Sequence, residues 1–289
     1  VSLEMVEDIR LFLNYLAKEK KCSKNTLDAY HNDLSQLADY IASAKSKEAG
    51  GYEVEELGEE HLASYMLYLK GKSYAVSTVA RKIAAARTFL KFMADSGKVS
   101  KDLAPKLAAP RVVKAAPKAL TVGEVQRLLA EAARLQTIDA RRDWTMLELL
   151  YATGMLASEL MSLNVEDLDM NQNNIKITNQ RGKSRVIPMD KRIKDLMKDY
   201  IDSVRIKLLT RDKEKALFLN QRGERLTRQG FWQIVQSYAD QAGIISKVTP
   251  RSIRHSFAVH RLKNGSDIHN IQEILGHAHV STTKSYRQS

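Results

Sequence analysis

Three of the chain's five prolines, Pro105, Pro110 and Pro117, fall inside one short stretch, "APKLAAPRVVKAAPKALT", and no other feature constrains the fold so strongly. Each proline fixes φ and lacks an amide hydrogen, so neither a helix nor a central strand can run through the stretch. Small and basic residues between the prolines favour an extended strap. With 289 residues the chain is long enough for two domains, each burying its own core. The expected division is a helical domain over 1–107, a proline-rich linker over 108–118 and a second domain over 119–289.

The two sides of the strap differ in pattern and in charge. Before it, "MVEDIRLFLNYLAKEK", "SKNTLDAYHNDLSQLADYIASA", "GEEHLASYMLYLKG" and "VSTVARKIAAARTFLKFMADSG" repeat apolar residues at three- and four-residue spacing, which predicts four amphipathic helices. Ser23 and Ser77 are expected N-caps and Gly97 a helix stop. After it, Thr121 and Glu124 form a capping-box pattern, and helical periodicity returns in "RRDWTMLELLYATG", "ASELMSL", "DKRIKDLMKDYIDSVRIKLL", "TRQGFWQIVQSYADQAGI", "TPRSIRHSFAVHRLKNG" and "DIHNIQEILG". The alternating "NNIKITNQRGKSRVIPM" predicts two strands around an Arg-Gly-Lys turn. The fold class is therefore mainly α with a small antiparallel β-sheet.

Residues 1–109 hold 16 Lys and Arg against 15 Asp and Glu, a net of +1; residues 110–289 hold 30 against 19, a net of +11. A polyanion is the expected partner, and the second half carries most of the attraction. No run of 18 apolar residues and no basic-then-apolar leader is present in the sequence, so neither membrane span nor signal peptide is expected, and the expected location is the cytoplasm. One cysteine, Cys22, excludes an internal disulfide. The histidines lack metal-ligand spacing, so no metal is expected.

Four stretches, "YATGMLASELMSLNVEDLD", "RGKSRVIPM", "TPRSIRHSFAVHRL" and "LGHAHVSTTKSY", follow one another in an order and spacing that together resemble the catalytic domain of the tyrosine recombinase (phage integrase, Xer-like) family. "SKNTLDAYHNDLSQLADYI" and "STVARKIAAARTFLKFM" are similar to that family's helical, SAM-like core-binding domain. The resemblance implies two domains closing around duplex DNA as a C-shaped clamp, with no cofactor. It also implies attack of a tyrosine on a DNA phosphodiester, giving a 3′-phosphotyrosine link and a free 5′ hydroxyl. Without a metal, arginine and histidine must meet the charge developing on the phosphate, and a lysine protonates the leaving oxygen.

Carried over position by position, the resemblance assigns the nucleophile to Tyr286, the second arginine of "HxLRH" to Arg254 and the histidine of "LGH" to His277. Three positions depart from the pattern. Leu156 stands where "TGLRxSEL" has its first arginine, Gln180 where the lysine belongs, and Arg251 where "HxLRH" begins with histidine. Leucine offers a phosphate nothing, glutamine cannot deliver a proton, and arginine cannot act as a base near neutral pH. Lys183, three residues beyond Gln180, is the candidate substitute.

DNA contacts outside the pocket are expected at two helix starts, Ser77, Thr78, Arg81 and Lys82 in the first domain and Thr227 and Arg228 in the second, and in the hairpin at Arg181 and Arg185. Two functions follow from the resemblance. One is a DNA-binding family member with weak or lost strand cleavage, nucleoid-associated and working with a second copy or a related recombinase subunit. The other is an active site-specific recombinase or integrase. A plain helix-turn-helix regulator would leave the frame around Tyr286 without a reason.

Overall fold

The computed structural model describes residues 3–45, 58–99, 102–112, 118–178, 182, 184–276, 283 and 286. The chain divides into two compact units, Val1–Lys114 and Ala115–Ser289, and the division falls within the proline-rich stretch.

The first unit is built from α1 (Leu3–Lys18), α2 (Lys24–Lys45), α3 (Glu59–Gly71) and α4 (Val76–Asp95). On α1 the buried residues Met5, Ile9, Phe12 and Leu16 recur every three or four positions, the stripe that makes a helix bury one side. Phe12 meets Tyr30 and Phe89 edge-on, with ring centroids 5.7 and 5.5 Å apart, an arrangement that adds about 0.5–1.5 kcal/mol per pair to simple burial. Ser23 accepts from the Thr26 amide at the start of α2, as expected of a cap. Ser77 does not cap α4; the N-cap position is Ala75, whose side chain makes no capping bond.

The second unit surrounds α6 (Ile138–Thr153), whose Met146, Leu147, Leu149 and Leu150 are fully buried. A helix covered on several sides is a core element rather than a surface one. Its neighbours include α5 (Val122–Ala133), α8 (Lys191–Asp199) and α11 (Pro250–Lys263). The Thr121–Glu124 capping box forms as the sequence predicts, with the Thr121 amide donating to the Glu124 carboxylate over 2.7 Å.

A three-stranded antiparallel sheet, β1 (Leu168–Asp169), β2 (Asn174–Thr178) and β3 (Ser184–Pro188), lies in the order β1-β2-β3. Ile175 pairs with Ile187 and Ile177 with Arg185. Strand β1 has two residues, too few to show an alternation.

The predicted helix over 190–209 forms as one helical run, Lys191 to Leu208, but is not α-helical throughout. A π turn, Tyr200–Arg205, joins α8 to α9 (Ile206–Leu208). Inside it the Tyr200 hydroxyl donates to the Leu217 carbonyl and Arg205 to the Ala216 and Glu214 carbonyls. The chain beyond leads to α10 (Arg228–Gln241), α11 and α12 (Ile268–Leu275). Among the described residues no helix is long and apolar enough to cross a membrane.

Candidate active site

The site grows from two glycine-capped helix ends. Gly154 ends α6 at φ +59°, and Gly276 ends α12 at φ +69°, a conformation that glycine adopts without the penalty a Cβ brings. A Cβ on Gly154 would run into the Phe257 ring, and one on Gly276 would press on the Arg185 guanidinium. The short α7 (Ala157–Ser162) follows Gly154 closely, and its N-cap is Leu156.

Between these two ends sits Arg254, carried on α11, which starts at Pro250 behind the N-cap Thr249. Arg254 is 7% exposed. It donates to the Gly154 carbonyl over 2.8 Å and to the Leu275 carbonyl over 2.9 Å. Helix C-termini present unpaired carbonyls and a partial negative charge, so the two caps together hold a buried cation in place. Burial lowers the Arg254 pKa, while Glu159 and Tyr286 oppose that shift; an arginine remains charged under such an influence.

Tyr286 reaches the same point. Its phenol lies near enough to the Arg254 side chain to act on the arginine's pKa, and its ring lies 4.8 Å from the His255 ring at 60°. It packs on the apolar cluster of Phe257, Ala258, Ile271 and Leu275. A guanidinium beside a phenol oxygen is the pairing needed to bind a phosphate oxygen next to a nucleophile. Two of the sequence-assigned residues, Arg254 and Tyr286, are thus together.

Glu159 on α7 is a site residue that sequence reasoning missed. It is buried, and it grips Arg185 of β3 through two bonds of 2.5 and 2.8 Å. It also accepts from the Leu156 amide over 2.7 Å and lies 4.0 Å from Arg254. Burial alone would raise its pKa. The Arg185 hydrogen bonds, the Leu156 amide and the charges of Arg185 and Arg254 outweigh that and hold it below the usual carboxylate range. The acid of "ASEL" was the available signal, but its partner lies 26 residues away on another element.

Several residues expected to contact DNA have partners within the fold. Arg185 is not an open hairpin cation; besides Glu159 it binds the Ile274 carbonyl over 2.8 Å. Lys82 is 8% exposed and bonds Asp33 over 3.0 Å, because a buried carboxylate needs a counter-charge. Arg81 also pairs with Asp33, yet its side chain stays 49% exposed. Ser77 is exposed and Thr78 half-buried. Thr227 caps α10 by accepting from the Gly230 amide, and both it and Arg228 are exposed.

Of the substituted positions, Leu156 is 45% exposed beside the site, and Arg251 is exposed in the first turn of α11. His277, Gln180, Arg181 and Lys183 lie outside the described residues.

Comparison with known proteins matches residues 118–289 to the "Phage integrase family" and 9–97 to "Phage integrase, N-terminal SAM-like domain". The chain is 40% identical to "Tyrosine recombinase XerC" of Roseiflexus sp. (strain RS-1), over 98% of this chain and 89% of that protein. It is 35% identical to "Tyrosine recombinase XerD" of Listeria monocytogenes serotype 4b (strain F2365), over 98% and 93%. Among solved structures, XerH recombinase bound to its difH substrate before cleavage shares the fold with a TM-score of 0.72 and 21% identity, over 90% of this chain and 76% of that one. A lambda integrase dimer bound to a COC′ core site gives 0.71 and 15%, over 97% and 94%. With Tyr286 set against Arg254 between two glycine-capped helices, and with matches spanning both units, the chain belongs to the tyrosine recombinase family of phage integrase-type proteins.

Proposed function

We propose that this family member binds duplex DNA and that its strand cleavage through Tyr286 is weak or lost. The observation that carries the proposal is Leu156. An isobutyl group stands exposed two residues from the Gly154 carbonyl that holds Arg254, at the position where the family pattern has a phosphate-binding arginine. Arg185, the nearby cation on β3, is committed to Glu159 and supplies no replacement. A transition-state arginine is worth roughly 10³–10⁵ in rate in other phosphoryl transfers. Acid–base groups such as those absent at Gln180 and Arg251 contribute roughly 10²–10⁴, and such losses do not simply multiply.

The partner is double-stranded DNA in the cytoplasm, at the nucleoid, with a second copy or a related recombinase subunit on the same site. One observation favours the second function, an active recombinase: Arg251 is exposed three residues before Arg254 on α11, a spacing that puts both on one helix face and lets Arg251 meet a phosphate alongside it.

The test starts from a binding site selected by the protein from a random duplex pool. Presented as a nicked suicide substrate, that site gives at most a faint covalent protein–DNA band, which Tyr286→Phe removes. Leu156→Arg with Gln180→Lys and Arg251→His converts it into a strong band. A strong band from the unaltered protein overturns the proposal in favour of the active recombinase.

A further inference from the structure

Directly after Arg254, α11 carries His255, to which neither the family pattern of catalytic residues nor the function proposed above gives a task. It is 3% exposed. Neither ring nitrogen has a hydrogen-bond partner among the described residues. Buried polar side-chain atoms are partnered in the large majority of cases, so an orphaned pair needs a reason. A ring that served packing alone would be better filled by phenylalanine, which leaves no polar atom unsatisfied. The ring that His255 faces is that of Tyr286, 4.8 Å away.

The chemistry at Tyr286 has a matching vacancy. A phenol must lose its proton to attack phosphorus well, and the family pattern's first histidine is here Arg251, which cannot accept one. Arg254 cannot accept one either. A guanidinium only donates, so toward the neighbouring Arg254 the tyrosine oxygen can act only as an acceptor, and its proton must go to another group. Burial first, and the charge of Arg251 second, lower the pKa of His255, which favours the neutral imidazole and its one lone-pair nitrogen. Arg251 precedes His255 by four residues on the same helix, so the substituted base position and this second histidine share a face.

We propose that His255 accepts the phenolic proton of Tyr286 when the tyrosine attacks DNA. The O–H bond of Tyr286 breaks and its proton passes to the unprotonated nitrogen of His255. The phenolate oxygen bonds to phosphorus, the bond from phosphorus to the 5′ oxygen breaks, and the departing oxygen takes a proton from water. In the reverse direction a 5′ hydroxyl gives its proton to water as its oxygen bonds to phosphorus, the bond from phosphorus to the tyrosine oxygen breaks, and the imidazolium of His255 returns its proton to the phenolate. The inference rests on the residual cleavage allowed by the function proposed above.

The test uses the full chain carrying Leu156→Arg and Gln180→Lys, which raises the rate without adding a histidine. It follows single-turnover adduct formation on the selected site, with either oxygen or sulfur bridging phosphorus and the 5′ carbon. A sulfur leaving group departs without a proton, so it compensates for a missing acid but not for a missing base. His255→Phe keeps an aromatic ring against Tyr286, and His255→Gln keeps an acceptor of little basicity. Both are expected to slow the adduct by about 10²–10⁴-fold on both substrates, with DNA affinity unchanged, and added imidazole is expected to restore part of the rate to His255→Ala. Where the Phe variant does not fold, the Gln variant and the imidazole rescue decide the matter. Parental rates in the variants overturn the inference, as does a loss that the sulfur substrate abolishes, which would put His255 on the leaving oxygen. No adduct from either substrate in the parent also overturns it while leaving DNA binding intact. A strong adduct from the unaltered chain that collapses in His255→Phe supports the inference and overturns weak cleavage instead.

Discussion

In each unit a buried carboxylate gathers two basic residues around it. In the first unit Asp33 on α2 takes Arg81 and Lys82 from α4. In the second Glu159 on α7 takes both arms of Arg185 from β3 and stands 4.0 Å from Arg254. The Asp33 cluster lies between two helices of a bundle and has a half-exposed member in Arg81, so part of its charge is already met by water. The Glu159 cluster is more enclosed, with Glu159 and Arg254 buried and the Arg185 side chain 18% exposed, and one of its cations lies beside the Tyr286 phenol. The same device therefore ties two helices together in one unit and orients a phosphate-binding arginine in the other.

That difference sets the expected cost of breaking each. Glu159→Gln leaves Arg185 and Arg254 facing one another without their shared anion. Removing one partner of a buried ion pair costs about 3–5 kcal/mol, which for a unit of this size is a fall of roughly 10 °C in melting temperature. Calorimetry of the full chain reads it directly, and an unchanged upper transition would mean that Arg185 and Arg254 relax into water at no cost. Asp33→Asn is expected to cost less, about 1–3 kcal/mol, because Arg81 can swing outward and only Lys82 is stranded. If Asp33→Asn proves the more damaging of the two, the contrast between a half-open and a more enclosed cluster fails.

Much of the fold was legible in the sequence because its signals are local. The stripe of Met5, Ile9, Phe12 and Leu16 on α1, the Thr121 and Glu124 box, and the alternation of Ile175 and Ile177 each depend on residues within a few positions of one another. The π turn at Tyr200–Arg205 was not legible, since its polar side chains answer to carbonyls at 214–217, on a loop whose course no periodicity predicts. The site divides along the same line. Arg254 and Tyr286 came from motif order, whereas Glu159 needed its pairing with Arg185 to be seen, and His255 needed its burial. A basic residue in a sequence carries no mark of whether a carboxylate waits for it 26 residues away, as for Arg185, or 49 away, as for Lys82.

Acid provides a smaller and more selective probe of the Glu159 cluster. Its folded pKa lies below the ordinary glutamate value, which is about 4.3. The stability it contributes is therefore fully present above that unfolded value and is lost as pH falls through the lower folded one. The gap in melting temperature between the unaltered protein and Glu159→Gln should be constant from pH 7 to about 5 and narrow below about 4. A gap that does not change with pH would mean that the carboxyl titrates alike in the folded and unfolded chains.

The smallest expected effect decides whether the basic residues drawn inward still serve DNA. Each phosphate neutralised by a side chain contributes close to one unit to the slope of log affinity against log salt. Arg228 is exposed at the start of α10, so Arg228→Ala is expected to lower that slope by about 1. Lys82 has its ammonium on Asp33 and over the Tyr74 ring, 5.5 Å from the centroid, so Lys82→Met is expected to lower the melting temperature of the first unit while leaving the slope unaltered. Salt titrations of both variants on the selected site, read by fluorescence anisotropy, make the comparison. Should Lys82→Met take the same unit off the slope, the lysine must leave Asp33 when DNA arrives. The carboxylate would then be a latch that holds a phosphate contact in reserve, and the two clusters would differ in timing rather than in purpose.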